Sequence, residues 1–461
     1  MMAEYIPLLL FMATLCLLLL GYPIAVTLAG TAILFAFAGL MAGHFDKGFL
    51  DAVPGRLIEV MSNQALIAVP LFIFMGGVLK RSWTADEWLD STSWLFNAHR
   101  TGPGISLILA GVLLSASAGA AGAAMTALGP LFLSALLRRK YAPGLSAGIL
   151  CASGILGQIV PPAIALVMLE DVLSTSYQQA QLEMGVWSPE TMTLGSLFAG
   201  MLVPGMMLAL GYLIYLLLLG WLRPAAMPAT TGDEPASGQD ATGPNPAGLL
   251  LPPLLLMLAV LGLMVTGTAT PTEAASAGAM GSLFLALMRG RLNLRILREL
   301  MRDTTRRSGA VFIVVIGASV FSQVFRGYGG DELASRLLNN LPGGAFSAVL
   351  AVMLFLFLLG LVLDFAGIVF WVVPILAPVL LAMGLDPLWL GAMIVVNWQA
   401  ARLTPPLGLA VFHQCRLAPP GLSPAQIYRG VAPFVLIHLL LLASLAWWPA
   451  LATWLPSALN G

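Results

Sequence analysis

Charge is what this sequence has least of. Asp, Glu, Lys and Arg make up 9% of its 461 residues, against roughly a quarter in soluble domains. That scarcity excludes a soluble globular protein. Cysteine is nearly missing too. Cys16, Cys151 and Cys415 lie far apart, no CxxC occurs, and the four histidines are scattered. Neither a disulfide framework nor a transition-metal site is expected. No P-loop pattern (GxxxxGK[ST]) is present, so ATP is not expected to drive the protein. HExxH is absent and no metal or nucleophile cluster is read at membrane depth, so an enzyme is not expected. No ring-forming filter motif speaks for a channel. No basic region precedes the first apolar run, which flows through Gly21-Tyr22-Pro23 into a second. It reads as a retained membrane helix, not a cleaved signal.

What the sequence does have is hydrophobicity: 59% of its residues are apolar and the mean hydropathy is +0.93. Many windows reach the roughly 20 apolar residues that a helix needs to cross a bilayer. The fold class is therefore an all-α polytopic membrane protein. Two stretches stand out, Gly154–Leu166 and Asn397–Ala410. Each is an apolar run with a double proline in its middle. Proline has no N–H, and its ring disfavours helix just before it. Each pair should break a helix and free backbone carbonyls. Lipid cannot satisfy those groups, so such breaks belong in protein or beside a watery cavity. Matched breaks in two halves of a chain point to a transporter's binding site.

Taken in order, helices are expected at about 5–20, 23–41 and 65–79. Residues 43–63 mix charge with apolar positions and suit an interfacial amphipathic helix. Residues 83–100 are polar and tryptophan-rich, as at a membrane surface. Residues 101–137 are apolar, with an almost wholly small-residue centre at Ser115–Met125 and basic flanks at Arg100 and Arg138-Arg139-Lys140. Thirty-seven residues exceed one crossing. A helical hairpin with its tip near Ser115–Gly119 is expected, in preference to one long helix with a small-residue face. The first broken helix follows at 144–169, then a polar loop, Glu170–Glu190, then a helix at 194–219. The Pro-, Gly- and Ser-rich stretch 223–247 reads as a flexible linker.

The second half repeats the plan, with helices at about 249–265, 274–288 and 310–325. Arg289–Arg307 carries seven arginines, the strongest cytoplasmic marker present. A second overlong apolar stretch, 343–383, is interrupted at Asp364-Phe365-Ala366-Gly367. The second broken helix covers 388–416, and a last helix 431–448. Ser117 and Pro161 are 44 positions apart, Phe365 and Pro405 40. The loop after the first hairpin is basic (Arg138–Gly144), while its counterpart Gly384–Trp389 has one Asp and no basic residue. By the positive-inside rule the two loops lie on opposite sides. The halves, 1–222 and 248–461, are thus expected as inverted repeats around the cytoplasmic linker. The count is ten crossings plus two hairpins, with both ends outside.

These motifs resemble one family, the large membrane subunit of TRAP (tripartite ATP-independent periplasmic) transporters. The resemblance lies in Ala68–Gly77, Ser115–Gly129, Ala147–Ala163, Leu197–Gly205, Leu361–Leu380 and Leu403–Gly408. It implies an elevator-type inverted-repeat carrier in the bacterial inner membrane. Such carriers are driven by sodium and need no cofactor. Substrates are usually organic acids, delivered by a periplasmic binding protein, and a small membrane subunit completes the assembly. No nucleic acid is expected as partner. A solitary ion- or proton-coupled organic-anion carrier or channel of the same architecture is the alternative. Ala163, Ala400, Ala401 and Arg402 stand where relatives often have Ser, a Thr-Ser pair and an aromatic residue.

Sodium is a hard ion, and carbonyls at helix breaks can supply its oxygens. By the resemblance, one sodium would sit between the tip (Ser115, Gly119) and the first break (Gly157, Pro161, Pro162). The other would sit between Asp364–Gly367 and the second break (Thr404, Pro405, Pro406, Gly408). The plainer reading of Ser115 and Ser117 is small-residue packing. Asp364 could coordinate an ion, accept backbone N–H bonds at the tip, or pair with Arg402. Arg402 lies three residues before Pro405, and Gln158 three before Pro161. A guanidinium fork suits a carboxylate. Arg402 is read as the anchor of the substrate's carboxylate, with Gln158 and Ser117 toward the remainder. Its plainer reading is a lock on Asp364, or a side chain reaching the interface.

Overall fold

The computed structural model describes residues 5–82, 100–115, 132–134, 136–228, 246–417 and 422–460. The expected hairpin tip beyond Ser115, with Ser117 and Gly119, lies outside them. So do the tryptophan-rich segment 83–99 and most of the linker. The described residues are helical and contain no strand. Among the described residues, six helices are long and apolar enough to cross a membrane, or seven if the bent pair Gly330–Asn339 and Gly344–Gly360 is one span.

The first half begins with α1 (Ile6–Leu19) and α2 (Ile24–Met41), joined at the glycine-proline turn. Two short helices, α3 (Lys47–Asp51) and α4 (Val53–Ser62), fill the mixed-charge segment and lead into α5 (Gln64–Ser82). Next come α6 (Gly102–Ser115), α7 (Pro143–Leu156), α8 (Ile164–Glu183) and α9 (Leu194–Leu222). The second half holds α10 (Pro246–Val265), α11 (Pro271–Met288), α12 (Leu294–Gly327), α13 (Gly330–Asn339) and α14 (Gly344–Gly360). It continues with α15 (Phe365–Ala382), which contains a π turn at Ile368–Val372, then α16 (Pro387–Leu403) and α17 (Leu409–Leu417). The described residues end with α18 (Pro424–Trp447) and α19 (Ala450–Asn460).

Local chemistry sets several of these boundaries. Thr193 with Ser196, Thr270 with Glu273 and Ser423 with Gln426 form capping boxes that start α9, α11 and α18. Asp386 accepts the Trp389 N–H at 2.9 Å and starts α16. Three expectations are corrected. Glu170–Glu183 is not loop but the last 14 of the 20 residues of α8. No breaker occurs before Gly185, and Glu170, Ser176 and Gln181 are buried against other helices, so packing overrides polarity. The arginine-rich segment is likewise not a separate surface stretch. From Leu294 onward it is continuous with the helix expected at 310–325, in the 34-residue α12. At 1.5 Å per residue such a helix spans about 50 Å and outruns a bilayer. Between the helix expected at 310–325 and the apolar stretch 343–383 lies the further helix α13, and α19 follows Pro449, beyond the last expected helix.

α5 packs against α11 and α12, α2 against α12, α7 against α18, and α8 against both α15 and α5. Glycine makes the α7–α18 approach possible. A Cβ on Gly148 would strike the Gly430 carbonyl, and one on Gly430 the Gly144 carbonyl. Gly144–Gly148 has the letters of a nucleophile elbow (GxSxG), which requires a strand-to-helix turn. Here it is a helical turn, and the Ser146 hydroxyl donates to the Ala142 carbonyl at 3.2 Å. The interior is centred on large rings. Trp371, in the π turn of α15, stacks on Phe11 at 4.6 Å and meets Phe321 edge-on at 5.7 Å.

Candidate substrate cavity

Both double prolines fall in helix gaps. α7 stops at Leu156 and α8 starts at Ile164, with Gly157 as C-cap and Pro161-Pro162 between. α16 stops at Leu403 and α17 starts at Leu409, with Thr404 as C-cap. Gly408 closes the second gap by donating its N–H to the Thr404 carbonyl at 2.9 Å. A Cβ there would meet the carbonyl oxygens of Arg402 and Thr404, so the turn demands glycine. The Thr404 hydroxyl donates to the Ala400 carbonyl at 2.7 Å. Between α14 and α15 the chain breaks at 361–364, and Asp364 caps the restart: its Oδ1 accepts the Gly367 N–H at 2.9 Å.

One cavity of about 520 Å³ gathers residues from these breaks. Gln158 comes from the first gap, Ala165 and Met168 from α8. Asp364, Phe365 and Ala366 come from the α14–α15 break, Trp398 and Arg402 from α16. The opposite wall is one face of α5 (Ile73, Gly76, Gly77, Lys80) and one face of α12 (Thr304, Arg307, Val311, Val314). Such i, i+3, i+4, i+7 stripes are what a helix presents to a single groove. The cavity runs toward the arginine-rich end of the molecule, where Lys80, Arg81, Asp303 and Arg307 line it. Toward the other end, polar contacts hold the walls together. Asn63 Nδ2 donates to Asp171 Oδ1 at 2.5 Å, and an Arg326 Nη donates to Gln179 Oε1 at 2.8 Å.

Of the residues expected at the site, the cavity unites Gln158, Asp364 and Arg402. Gly157, Pro161, Pro162, Thr404, Pro405, Pro406 and Gly408 lie in the break segments and Gly367 in the first turn of α15, but none of them lines it. Ser115 ends α6. The structure adds Trp398, Lys80 and Arg307, which sequence reasoning passed over. Trp398 sits one helical turn before Arg402, at the spacing that puts two side chains on one face, so its signal was there.

Arg402 is the unusual group. It is only 6% exposed. Its Nε has no hydrogen-bond partner, and among the described residues no ion pair joins it to Asp364 or any other acid. Its neighbour is the Trp398 ring, with the guanidinium carbon 4.7 Å from the centroid. A cation–π contact is worth about 2 kcal/mol when desolvated, whereas burying an unpaired charge costs several. The balance favours an anion beside Arg402. Gln158 Oε1 and Trp398 Nε1 are also buried without partners.

The chain is similar to transporter permeases along its whole length. It is 26% identical over 459 residues to the C4-dicarboxylate TRAP transporter large permease protein DctM of Rhodobacter capsulatus, covering 98% of this chain and 99% of that one. It is 25% identical over 448 residues to the sialic acid TRAP transporter large permease protein SiaM of Vibrio cholerae, covering 96% and 97%. Among solved structures, the fold is similar to the YdaH transporter of Alcanivorax borkumensis, with a TM-score of 0.61 at 14% identity over 88% of this chain and 90% of that one. The family model for the DctM component of the tripartite ATP-independent periplasmic transporter matches residues 11–451, and with that the chain belongs to the DctM family of multi-pass membrane transporters.

Proposed function

We propose that this protein carries an organic acid across the inner membrane, with Arg402 as the carboxylate anchor. The observation behind this is the buried guanidinium with no acidic partner on a cavity wall. A carboxylate would supply the missing charge, held bidentately by the guanidinium fork. Gln158 would bond the rest of the molecule. The C4-dicarboxylate and sialic acid named for its relatives are both acids. Coupling is to sodium, held by carbonyls freed at the Gly157–Pro162 and Thr404–Gly408 gaps and at the break capped by Asp364. A periplasmic binding protein delivers the acid, and a small membrane subunit holds the fixed part.

The motion is of elevator type. The broken helices and the α14–α15 pair carry the site past α5 and α12. With the arginine-rich end in the cytoplasm, the cavity described above opens inward, and the Asn63–Asp171 and Arg326–Gln179 contacts close the outer side.

Uptake into proteoliposomes, with both partners and a panel of organic acids, tests the reading. Uptake of one acid should require an inward sodium gradient. The Arg402→Ala and Arg402→Lys variants should lose affinity for that acid while sodium binding to the empty protein persists. An unchanged KM in Arg402→Ala removes the anchor. Full uptake without sodium, driven by a pH gradient, moves coupling to protons, with Asp364 as the first acid to test.

A further inference from the structure

Two opposite charges, Asp364 and Arg402, line one cavity and yet do not pair. In a low-dielectric interior their attraction is strong, so something must hold them apart. The Asp364 side chain is engaged on one side, where Oδ1 accepts the Gly367 N–H. Arg402 lies over Trp398. The Trp398 ring is itself fixed. The Phe365 ring lies 4.5 Å away, tilted by 48°. The last residue of α14, Gly360, comes so near that a Cβ there would sit 3.2 Å from the indole Cδ1. The indole therefore touches both the guanidinium and the residues flanking the α14–α15 break, and it is 1% exposed.

We propose that Trp398 is a positioning residue: its ring holds the Arg402 guanidinium off Asp364, so that the guanidinium stays free for the substrate's carboxylate. This rests on the reading of Arg402 as the anchor. Without the ring, Arg402 would fall onto Asp364, and the protein would neutralise its own anchor. Specificity for an anion would then depend on an aromatic face as well as on the charge.

The substrate-free test reads Arg402 directly. Purified full-length protein is treated with phenylglyoxal, and modification of the Arg402 peptide is followed by mass spectrometry. The variants are Trp398→Phe, Trp398→Leu, Asp364→Asn and the Leu–Asn double change. Asn is as good an N-cap as Asp, so Asp364→Asn removes the charge and keeps the helix start. Trp398→Phe keeps an aromatic face and should react within about twofold of the parent. Trp398→Leu should react about tenfold more slowly, because a guanidinium paired to a carboxylate is shielded. The double change should recover the parent rate, which a misfolded or merely disrupted protein would not do. Asp364→Asn alone should change nothing, because the ring already separates the charges.

The proposal is overturned if Trp398→Leu reacts like the parent, if the loss persists in the double change, or if Asp364→Asn alone raises reactivity several-fold. The KM for the acid found in the uptake panel should follow the same order across the parent, Trp398→Phe and Trp398→Leu. Failure of the anchor reading would look different: the reactivity order would hold while Arg402→Ala left KM unchanged.

Discussion

A single side chain can carry a cost that only its ligand removes. Arg402 is placed on the cavity wall by α16, whose run Trp389–Leu403 is otherwise packed among neighbouring helices. A bidentate guanidinium–carboxylate contact is geometrically specific, and an ammonium does not reproduce it. Arg402→Lys should therefore raise KM by about tenfold or more, with Arg402→Ala at least as severe. Equal KM values for the parent and lysine proteins would sink this expectation. Gly408 is a second residue-scale test. A methyl group there collides with two backbone carbonyls, which cannot move aside as a flexible side chain would. Gly408→Ala should cost about 1–3 kcal/mol, the usual penalty of overpacking, read as a lower midpoint in thermal unfolding. Gly408 has no positive φ, and Gly30 likewise has none but has open space where its Cβ would go, so Gly30→Ala is the control without the collision.

Among the elements, α8 differs most from what its composition suggests. Its second half is polar, yet it is helical and ties the far end of the molecule together. Asp171 receives a bond from Asn63, just before α5, and Gln179 one from Arg326, near the end of α12. If α8 travels with the site while α5 and α12 stay still, both bonds must break in each transport cycle. A hydrogen bond to a charged group contributes about 1.5–3 kcal/mol. Asn63→Ala should then raise the outward-facing population by about tenfold, since 1.4 kcal/mol is one power of ten. The readout is a cysteine at Ala165, which lines the cavity, in a background where Cys16, Cys151 and Cys415 are serine. Its labelling by an impermeant maleimide from outside should speed up by that factor. An unchanged rate would show that the bond does not close the outer side.

At the scale of the whole molecule, sidedness is the first question. The Arg326–Gln179 bond brings the segments around Gln178 and Tyr328 to one end of the structure, away from Lys80 and Arg307. Cysteines at Gln178 and Tyr328 should both label from outside in intact cells. One at Ser237, in the linker beyond the described residues, should label only after the cells are opened. Outside labelling at Ser237 would overturn the inverted-repeat assignment. The chain alone should bind ions but carry acid poorly, because the proposed fixed part needs its small partner subunit.

Hydrophobicity and scarcity of charge determined the class of this protein, because a bilayer admits few other solutions. Helix ends were legible at the two double prolines and at Asp364, while the capping boxes at Thr270 and Ser423 went unread, and the helices they start begin at Pro271 and Pro424 where 274 and 431 were expected. The motifs also pointed to the family. What local signals could not give was decided by packing. Glu170–Glu183 looks like a loop by hydropathy, and only its burial against neighbouring helices makes it helix. The arginine-rich stretch looks like a surface loop, yet five of its seven arginines lie in α12, where no breaker interrupts the helix after Leu294. Spacing placed Gln158 and Arg402 at matching points, but it could not say whether Arg402 meets Asp364 or an indole ring. That choice depends on residues dozens of positions away, Gly360 and Phe365, whose approach to Trp398 exists only once α14, α15 and α16 are packed together.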